Sequence, residues 1–143
     1  MEYLWIVFAL LSAMTAALVA VFGKIGLQGV DTNTATAIRA IIMALFLIGL
    51  IFIQGKLRDI TPILANSRAL FYIVLSGVAG ALSWLFYFIA LKSAKVSQVV
   101  PIDRLSIVFA LLLAFFILGE KISLKAGIGA ALVVVGGILI ALG

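Results

Sequence analysis

The stretch ALFYIVLSGVAGALSWLFYFIAL, residues 69–91, carries no charged side chain along its whole length. An α-helix needs about 20 residues to cross the ~30 Å hydrocarbon core of a bilayer, at about 1.5 Å per residue. Residues 3–23 form a second uncharged run of sufficient length, and residues 126–143 form a third that is barely long enough. None of the three shows the alternation of apolar and polar residues that is typical of a strand, so each predicts a transmembrane α-helix.

The composition of the chain also indicates that lipid, and not water, surrounds it. Of its 143 residues, 66% are hydrophobic and 10% are charged, whereas a soluble domain carries roughly a quarter charged residues. The chain has no histidine and no cysteine, which excludes disulfides, thiolate chemistry and zinc sites of the usual type. Paired carboxylates are also missing, so the sequence predicts neither an enzyme nor a protein that binds a cofactor or a metal.

Two further uncharged runs are informative because they are too short. Residues 40–54 and 105–119 would each reach only about 22 Å as a helix. Each helix must therefore extend backwards through charged residues, which places Arg39 in the second helix and Asp103 and Arg104 in the fourth. We expect an all-α membrane protein, a single domain of five transmembrane helices. The expected helices cover approximately residues 3–23, 34–54, 69–91, 97–119 and 125–142.

The residues between these helices agree with their predicted ends. Asp31-Thr-Asn-Thr34 offers N-cap side chains before the second helix, and Ser123 can cap the fifth. Gly119-Glu120-Lys121 ends the fourth helix, and residues 55–67 form the longest loop. Pro101 lies either in the first turn of the fourth helix, where its missing N–H costs nothing, or one turn further in, where it would kink the helix.

The distribution of basic residues bears on orientation, which Lys and Arg normally determine. The ten Lys and Arg residues divide equally between the two faces that five spans define. One face holds Lys56, Arg58, Arg68, Lys121 and Lys125, and the other holds Lys24, Arg39, Lys92, Lys95 and Arg104. This balance favours insertion in both orientations and an antiparallel homodimer; the alternative is that a charge in the first hairpin dominates. Because the basic residues are scattered singly among apolar runs, they favour contact with lipid headgroups and not nucleic acid.

Five side chains are candidates for a substrate-binding site at one depth of the membrane. The second and fourth helices begin on the same face, so Arg39, Asp103 and Arg104 lie at a similar depth, ~8–10 Å from the interface. The third helix ends on that face and brings Trp84 and Tyr87 to a comparable level. Ionisable groups inside a membrane are costly and usually face a bundle interior or a water-filled cavity.

Two interpretations of these five residues remain open. In the first, Arg39 pairs with Asp103 and leaves Arg104 for an anionic or zwitterionic ligand, which a guanidinium can bind in bidentate fashion. In the second, Arg39 and Arg104 extend to the headgroups, Asp103 caps its helix, and Trp84 and Tyr87 belong to an aromatic belt.

Small residues at helical spacing predict where helices pack closely, since lipid offers no hydrophobic gain for helix association. The candidates are Gly77 and Gly80 in the third helix and Gly127 and Gly137 in the fifth. The glycine-rich fifth helix is the better candidate for a tight contact within the chain or between subunits. The alternative is that glycine and alanine are simply frequent in membrane helices.

Several short motifs resemble the EamA-type repeat of the drug/metabolite transporter superfamily. They are Phe22-Gly-Lys-Ile-Gly26, residues 35–39, Trp84-Leu-Phe-Tyr-Phe-Ile-Ala-Leu91, Pro101-Ile-Asp-Arg-Leu-Ser106, Leu118-Gly-Glu-Lys121 and Gly127-Ile-Gly-Ala-Ala-Leu132. The resemblance covers nearly the whole chain. Members of that superfamily have ten helices in two repeats of opposite orientation around a central cavity, so a single repeat implies a homodimer that restores both halves.

The resemblance implies a multi-pass protein of the cell membrane, inner or plasma, whose partners are a small-molecule substrate and membrane lipid. It implies a secondary transporter or exporter of a small metabolite or drug-like solute that works by alternating access. The related small multidrug resistance proteins use a glutamate in their first helix. Here Glu2 precedes that helix, so Asp103 would have to serve any proton coupling. The alternative function is a non-transporting membrane component that assembles with or regulates other proteins.

Overall fold

The computed structural model describes residues 3–143, so Glu2 lies outside the described residues. These residues form helices and turns, with no strand among them. The helices are α1 (Leu4–Gly26), α2 (Thr32–Ile53), α3 (Ile60–Ala65), α4 (Ser67–Ser93), α5 (Val96–Asp103), α6 (Ser106–Leu113) and α7 (Leu124–Leu142). A 3₁₀ turn at Lys56–Asp59 precedes α3, and a π-helical segment at Ala114–Leu118 follows α6.

Five segments are long and apolar enough to cross a membrane. They are α1, α2, α4, α7 and the combined segment Val96–Leu118, which we call the fourth span. The prediction of an all-α membrane protein with five spans is therefore confirmed. The second span begins at Thr32 and contains Arg39, as the length of its uncharged run required.

The surface of the chain is the reverse of a soluble protein's, because large apolar side chains face outward. Phe46 is 71% exposed and Phe116 is 76% exposed. The buried hydrophobic side chains of the described residues are Ala20, Leu27, Phe88 and Leu91. Such an apolar exterior requires lipid around it, since exposing it to water would cost roughly 25 cal/mol per Å².

The chain divides into two compact units, of which one is formed by residues 26–92 and contains α2, α3 and α4. Asp31 is the N-cap of α2, and its carboxylate accepts the Thr34 backbone N–H at 2.8 Å and the Thr34 hydroxyl at 2.9 Å. The Lys92 ammonium donates to the Val30 carbonyl at 2.9 Å. This contact places the first loop beside the C-terminal end of α4, so that α2 begins where α4 ends.

The other unit is formed by residues 3–25 together with 93–143 and contains α1, α5, α6 and α7. The Lys24 ammonium donates to the Ala94 carbonyl at 2.8 Å, which ties the last turn of α1 to the third loop. Ser123 caps α7 by accepting the Ala126 N–H at 3.2 Å. Gly119 has a φ of +68° after the π-helical segment, a conformation that favours glycine and ends the fourth span there.

The fourth span differs from the single helix predicted over residues 97–119, because it is interrupted after Asp103. Leu105 donates its N–H to Ile102 at 3.0 Å, and Ile107 donates to Arg104 at 3.1 Å. Both bonds reach back three residues instead of four, so the backbone tightens at this point. Pro101 lies in the second turn of α5, where its missing N–H removes the bond to Ser97. The position one turn in, the alternative that predicts a kink, is the one observed.

Candidate functional site

The Arg39 side chain lies across two aromatic rings of α4. Its guanidinium carbon is 3.3 Å from the Phe88 ring centroid and 5.2 Å from the Trp84 ring centroid. Measured along α4 from Ser93, Phe88 lies ~7 Å and Trp84 ~13 Å into the helix. The guanidinium therefore rests against α4 well inside the span, and each ring face attracts it electrostatically.

One nitrogen of that guanidinium has no hydrogen-bond partner. Arg39 Nη1 is buried, and no acceptor among residues 3–143 lies within hydrogen-bond distance of it. A buried donor left without a partner costs about 1–3 kcal/mol, and more when the group is charged. The aromatic contacts offset part of this cost but supply no acceptor. The second span thus carries a cation with one buried donor that no acceptor among residues 3–143 satisfies.

Three of the five predicted site residues come together around a residue that sequence reasoning missed. Phe88 is fully buried, and it contacts Trp84 with ring centroids 5.6 Å apart and Tyr87 with centroids 5.2 Å apart. Arg39 completes the cluster of Arg39, Trp84, Tyr87 and Phe88, which we call the arginine–aromatic cluster. The spacing of four residues between Trp84 and Phe88 puts both on one helix face and could have identified Phe88, but phenylalanine has no polar atom to mark it.

A groove of about 630 Å³ runs between α2 and α4 beside this cluster. It is lined by Asn33, Thr36, Ala37, Ala40 and Met43 of α2 and by Gly77, Val78, Gly80, Ala81, Leu82, Trp84 and Leu85 of α4. A Cβ added at Gly77 or Gly80 would meet no atom of residues 26–92 within 4 Å. These two glycines therefore widen the groove in this unit, and their predicted part in helix packing stays a prediction.

The remaining two candidates, Asp103 and Arg104, lie in the other unit at the interruption of the fourth span. Both are exposed. Asp103 is the last residue of α5, ~10 Å of helical rise beyond Val96, and Arg104 begins the turn that follows. The predicted pairing of Arg39 with Asp103, and the role of Arg104 in binding a ligand, stay predictions.

Gly137 of α7 is in close backbone contact with Pro101 of α5. A Cβ added at Gly137 would lie 2.9 Å from the Pro101 carbonyl oxygen, so the Cα–H in its place points at that oxygen, as at other close helix–helix contacts. In a regular helix this carbonyl would accept the Leu105 N–H, which instead donates to Ile102. The contact therefore lies at the last turn before the interruption.

Gly127, on the same helix, has a different environment. It lines an apolar groove of about 460 Å³ between α6 and α7, and a Cβ there would meet no atom of residues 93–143 within 4 Å. The predicted packing role of Gly127 stays a prediction.

Within residues 3–143, no group of three or more His, Cys, Asp or Glu side chains is placed to hold a metal ion.

Comparison with known proteins identifies the family. The EamA-like transporter family matches residues 3–142 of the chain. The chain belongs to the EamA-like transporter family. A protein of Sinorhizobium sp., named as an uncharacterized transporter in the cobO 3′ region, is 36% identical to this EamA-type chain over 141 residues, which cover 99% of each chain. No solved structure matches it.

The resemblance that the short motifs indicated is thus confirmed. The five spans and the family together make this EamA-type chain a multi-pass membrane protein of a transporter family. The Sinorhizobium relative has nearly the same length, so it too has the length of one five-helix repeat.

Proposed function

We propose that this chain is a secondary transporter or exporter of a small metabolite or drug-like solute, working by alternating access in the cell membrane. The observation that carries the proposal is the interruption of the fourth span after Asp103, where Asp103 and Arg104 are both exposed, about 10 Å of helical rise from Val96. Ionisable residues inside spans are costly and mark the paths of solutes and ions. Discontinuous helices form the solute and ion sites of many secondary transporters.

A homodimer supplies the second half of the transporter in this proposal. The chain and its relative each have the length of one five-helix repeat, while the family resemblance implies an assembly of two. The equal division of Lys and Arg between the faces supports an inverted pair. A second copy also covers Asp103 and Arg104, whose exposure to lipid in one chain alone would be costly. Alternating access is then a rocking of one copy against the other.

Transport is tested with purified protein in liposomes that contain a mixture of metabolites. After a pH gradient is imposed, we expect at least one solute to leave faster than from protein-free liposomes, as measured by mass spectrometry. Asp103→Asn should abolish this flux, because Asp103 is the acid available at membrane depth for binding or proton coupling. Asp59→Asn, which removes an exposed acid from the loop before α3, is the matched control and should transport normally.

The proposal is contradicted when no solute moves, or when Asp103→Asn transports as fast as the wild type. Stable co-purification with another membrane protein and absence of flux would support the alternative, a non-transporting assembly or regulatory component. We expect no catalytic activity, since any such activity would depend on Asp103 or Glu120 without a histidine or a cysteine.

The antiparallel dimer is tested with single engineered cysteines, because the native chain has none. Gln28→Cys and Gln54→Cys form a matched pair, since both glutamines are exposed and lie in the first and second loops. In sealed vesicles of expressing cells, a membrane-impermeant maleimide should label about half of each variant if the chain inserts in both orientations. Complete labelling of one variant and none of the other would remove the antiparallel dimer.

A further inference from the structure

The Arg39 cation does not line the groove between α2 and α4 but lies next to it, because both contact Trp84. Trp84 lines the groove and also lies under the guanidinium, at 5.2 Å from its central carbon. On α2, Thr36 and Met43 line the groove and lie three residues before and four residues after Arg39, on the same side of the helix. A ligand body in the groove would therefore lie against the same ring that supports the cation.

The cation determines the charge of the ligand group that this surface can accept. Arg39 Nη1 is buried and has no acceptor among residues 3–143. If the guanidinium turned towards the groove, a carboxylate or phosphate would satisfy that donor and form a charge-assisted, bidentate bond with it. A neutral hydrocarbon would leave the donor unsatisfied, and an ammonium group would be repelled by it. The arginine–aromatic cluster thus selects an anionic group.

The groove determines the rest of the ligand. Its polar lining residues, Asn33 and Thr36, lie in the first turns of α2, and the other lining side chains are small or apolar. The Thr36 hydroxyl already donates to the Thr32 carbonyl at 2.7 Å. The volume of about 630 Å³ falls in the range of about 300–1,000 Å³ that is usual for small-molecule sites. The groove therefore suits an apolar body of small-molecule size.

We propose that the groove and Arg39 form a binding site for an anionic group, carboxylate or phosphate, joined to an apolar body. That the ligand is also the transported solute rests on the proposed function, whereas the binding site itself does not. The same chemistry describes a free solute such as a fatty or aromatic acid and an anionic lipid, so the two sources are separated in the experiment below.

The experiment uses Trp84 as its reporter. The chain has two tryptophans, and Trp5→Phe leaves Trp84, which contacts both the cation and the groove, as the remaining one. This variant is placed in phosphatidylcholine nanodiscs and titrated with octanoate, octanol and octylamine, which share one apolar chain and differ in charge. Acetate is added as an anion without an apolar body. Each titration follows the tryptophan fluorescence.

We expect a saturable change with octanoate and none with acetate, octylamine or octanol beyond the linear effect of partition into the bilayer. Arg39→Gln in the same background should weaken octanoate binding about tenfold to a hundredfold, the usual effect of losing a hydrogen bond to a charged group. Arg39→Lys should weaken it less, since the charge remains and the bidentate fork is lost. Arg68→Gln, which removes an exposed arginine from the first turn of α4, should bind like the parent.

Equal saturable binding of octanol or octylamine, or an Arg39→Gln variant that binds octanoate as the parent does, would overturn the proposal. Repeating the titration in phosphatidylglycerol nanodiscs separates the two sources: persistence of the octanoate response supports a free solute, and competitive loss supports an anionic lipid in the same site. Binding is measured without flux. A protein that binds octanoate and moves no solute contradicts the proposed function alone, and one that transports other solutes without binding octanoate contradicts this inference alone.

Discussion

The second and fourth spans share one sequence feature and accommodate it differently. Each has an uncharged run too short to cross the membrane, and each therefore includes charged residues near its start. In the second span the helix stays continuous, and Arg39 lies on the rings of α4. In the fourth span the helix is interrupted, and Asp103 and Arg104 remain exposed.

The two spans also differ in the length and number of their charged side chains. In the second span one arginine has a long stem that reaches an aromatic neighbour, and its helix is continuous from Thr32 to Ile53. Asp103 and Arg104 are adjacent, so on a regular helix they point about 100° apart and one neighbouring helix cannot cover both. Pro101 adds a missing bond in the same segment. The second span thus holds one cation against aromatic rings, whereas the fourth span contains a tightened turn between two helical segments.

The contact between Gly137 and Pro101 gives the largest expected effect. Gly137→Ala places a methyl group 2.9 Å from a backbone carbonyl oxygen, which cannot move as a flexible side chain would. We expect the free energy of unfolding to fall by about 1–3 kcal/mol, as for other overpacked sites. The measurement is unfolding in mixed detergent micelles, followed by circular dichroism.

The matched control is Gly129→Ala on the same helix, where an added Cβ would meet no atom of residues 93–143 within 4 Å. This variant should be more stable than the wild type by up to about 1 kcal/mol, because alanine is the better helix former. Equal stability of the two variants would mean that the contact between Gly137 and Pro101 does not stabilise the fold. The missing N–H of Pro101 would then be the remaining explanation for the interruption of the fourth span.

Replacing Arg39 tests the other side of the comparison. Arg39→Met removes a buried donor that has no partner, and so relieves a penalty of about 1–3 kcal/mol. The same substitution loses the contacts of the cation with the aromatic rings, which stabilise the protein by up to about 2 kcal/mol. We therefore expect the free energy of unfolding to change by between about −1 and about +3 kcal/mol, so that a large loss of stability is not expected. Arg68→Met is the control for loss of an exposed arginine, and both are measured in the same micelles. A fall of more than about 1 kcal/mol would show that Arg39 is a structural anchor.

The elements that depend on local sequence were predictable. The five spans, the inclusion of Arg39 in the second span, the caps at Asp31 and Ser123 and the end of the fourth span at Gly119 each follow from run length or from one residue's backbone preference. The structure has all of them.

The interruption after Asp103 and the place of Phe88 were not predictable in the same way. The first accompanies a contact between Pro101 and Gly137, which are far apart in the sequence. The second depends on which side of α4 faces Arg39, and in a helix that is apolar all round no periodic pattern marks that side. The grooves depend on the separation of helices, which one span's sequence does not contain.

The smallest expected effect concerns how the two spans begin. The second begins at an acid, since Asp31 caps α2, and hydrogen bonds from Thr34 hold the pKa of its carboxyl below the usual value, with a smaller contribution from Lys92. The fourth begins at Lys95, whose N–H donates to the neutral Gln98 side chain at 3.3 Å.

The folded pKa of Asp31 is lowered, so its carboxylate stabilises the fold fully above the unfolded pKa of about 3.9. This contribution to stability is lost as the pH falls through the folded pKa. Asp31→Asn keeps a capping oxygen and cannot titrate. From about one pH unit above the unfolded pKa to about one unit below it, the unfolding midpoint of the wild type should therefore fall more than that of the variant. Parallel decline of the two proteins would show that titration of the Asp31 carboxyl does not contribute to the stability of the second span.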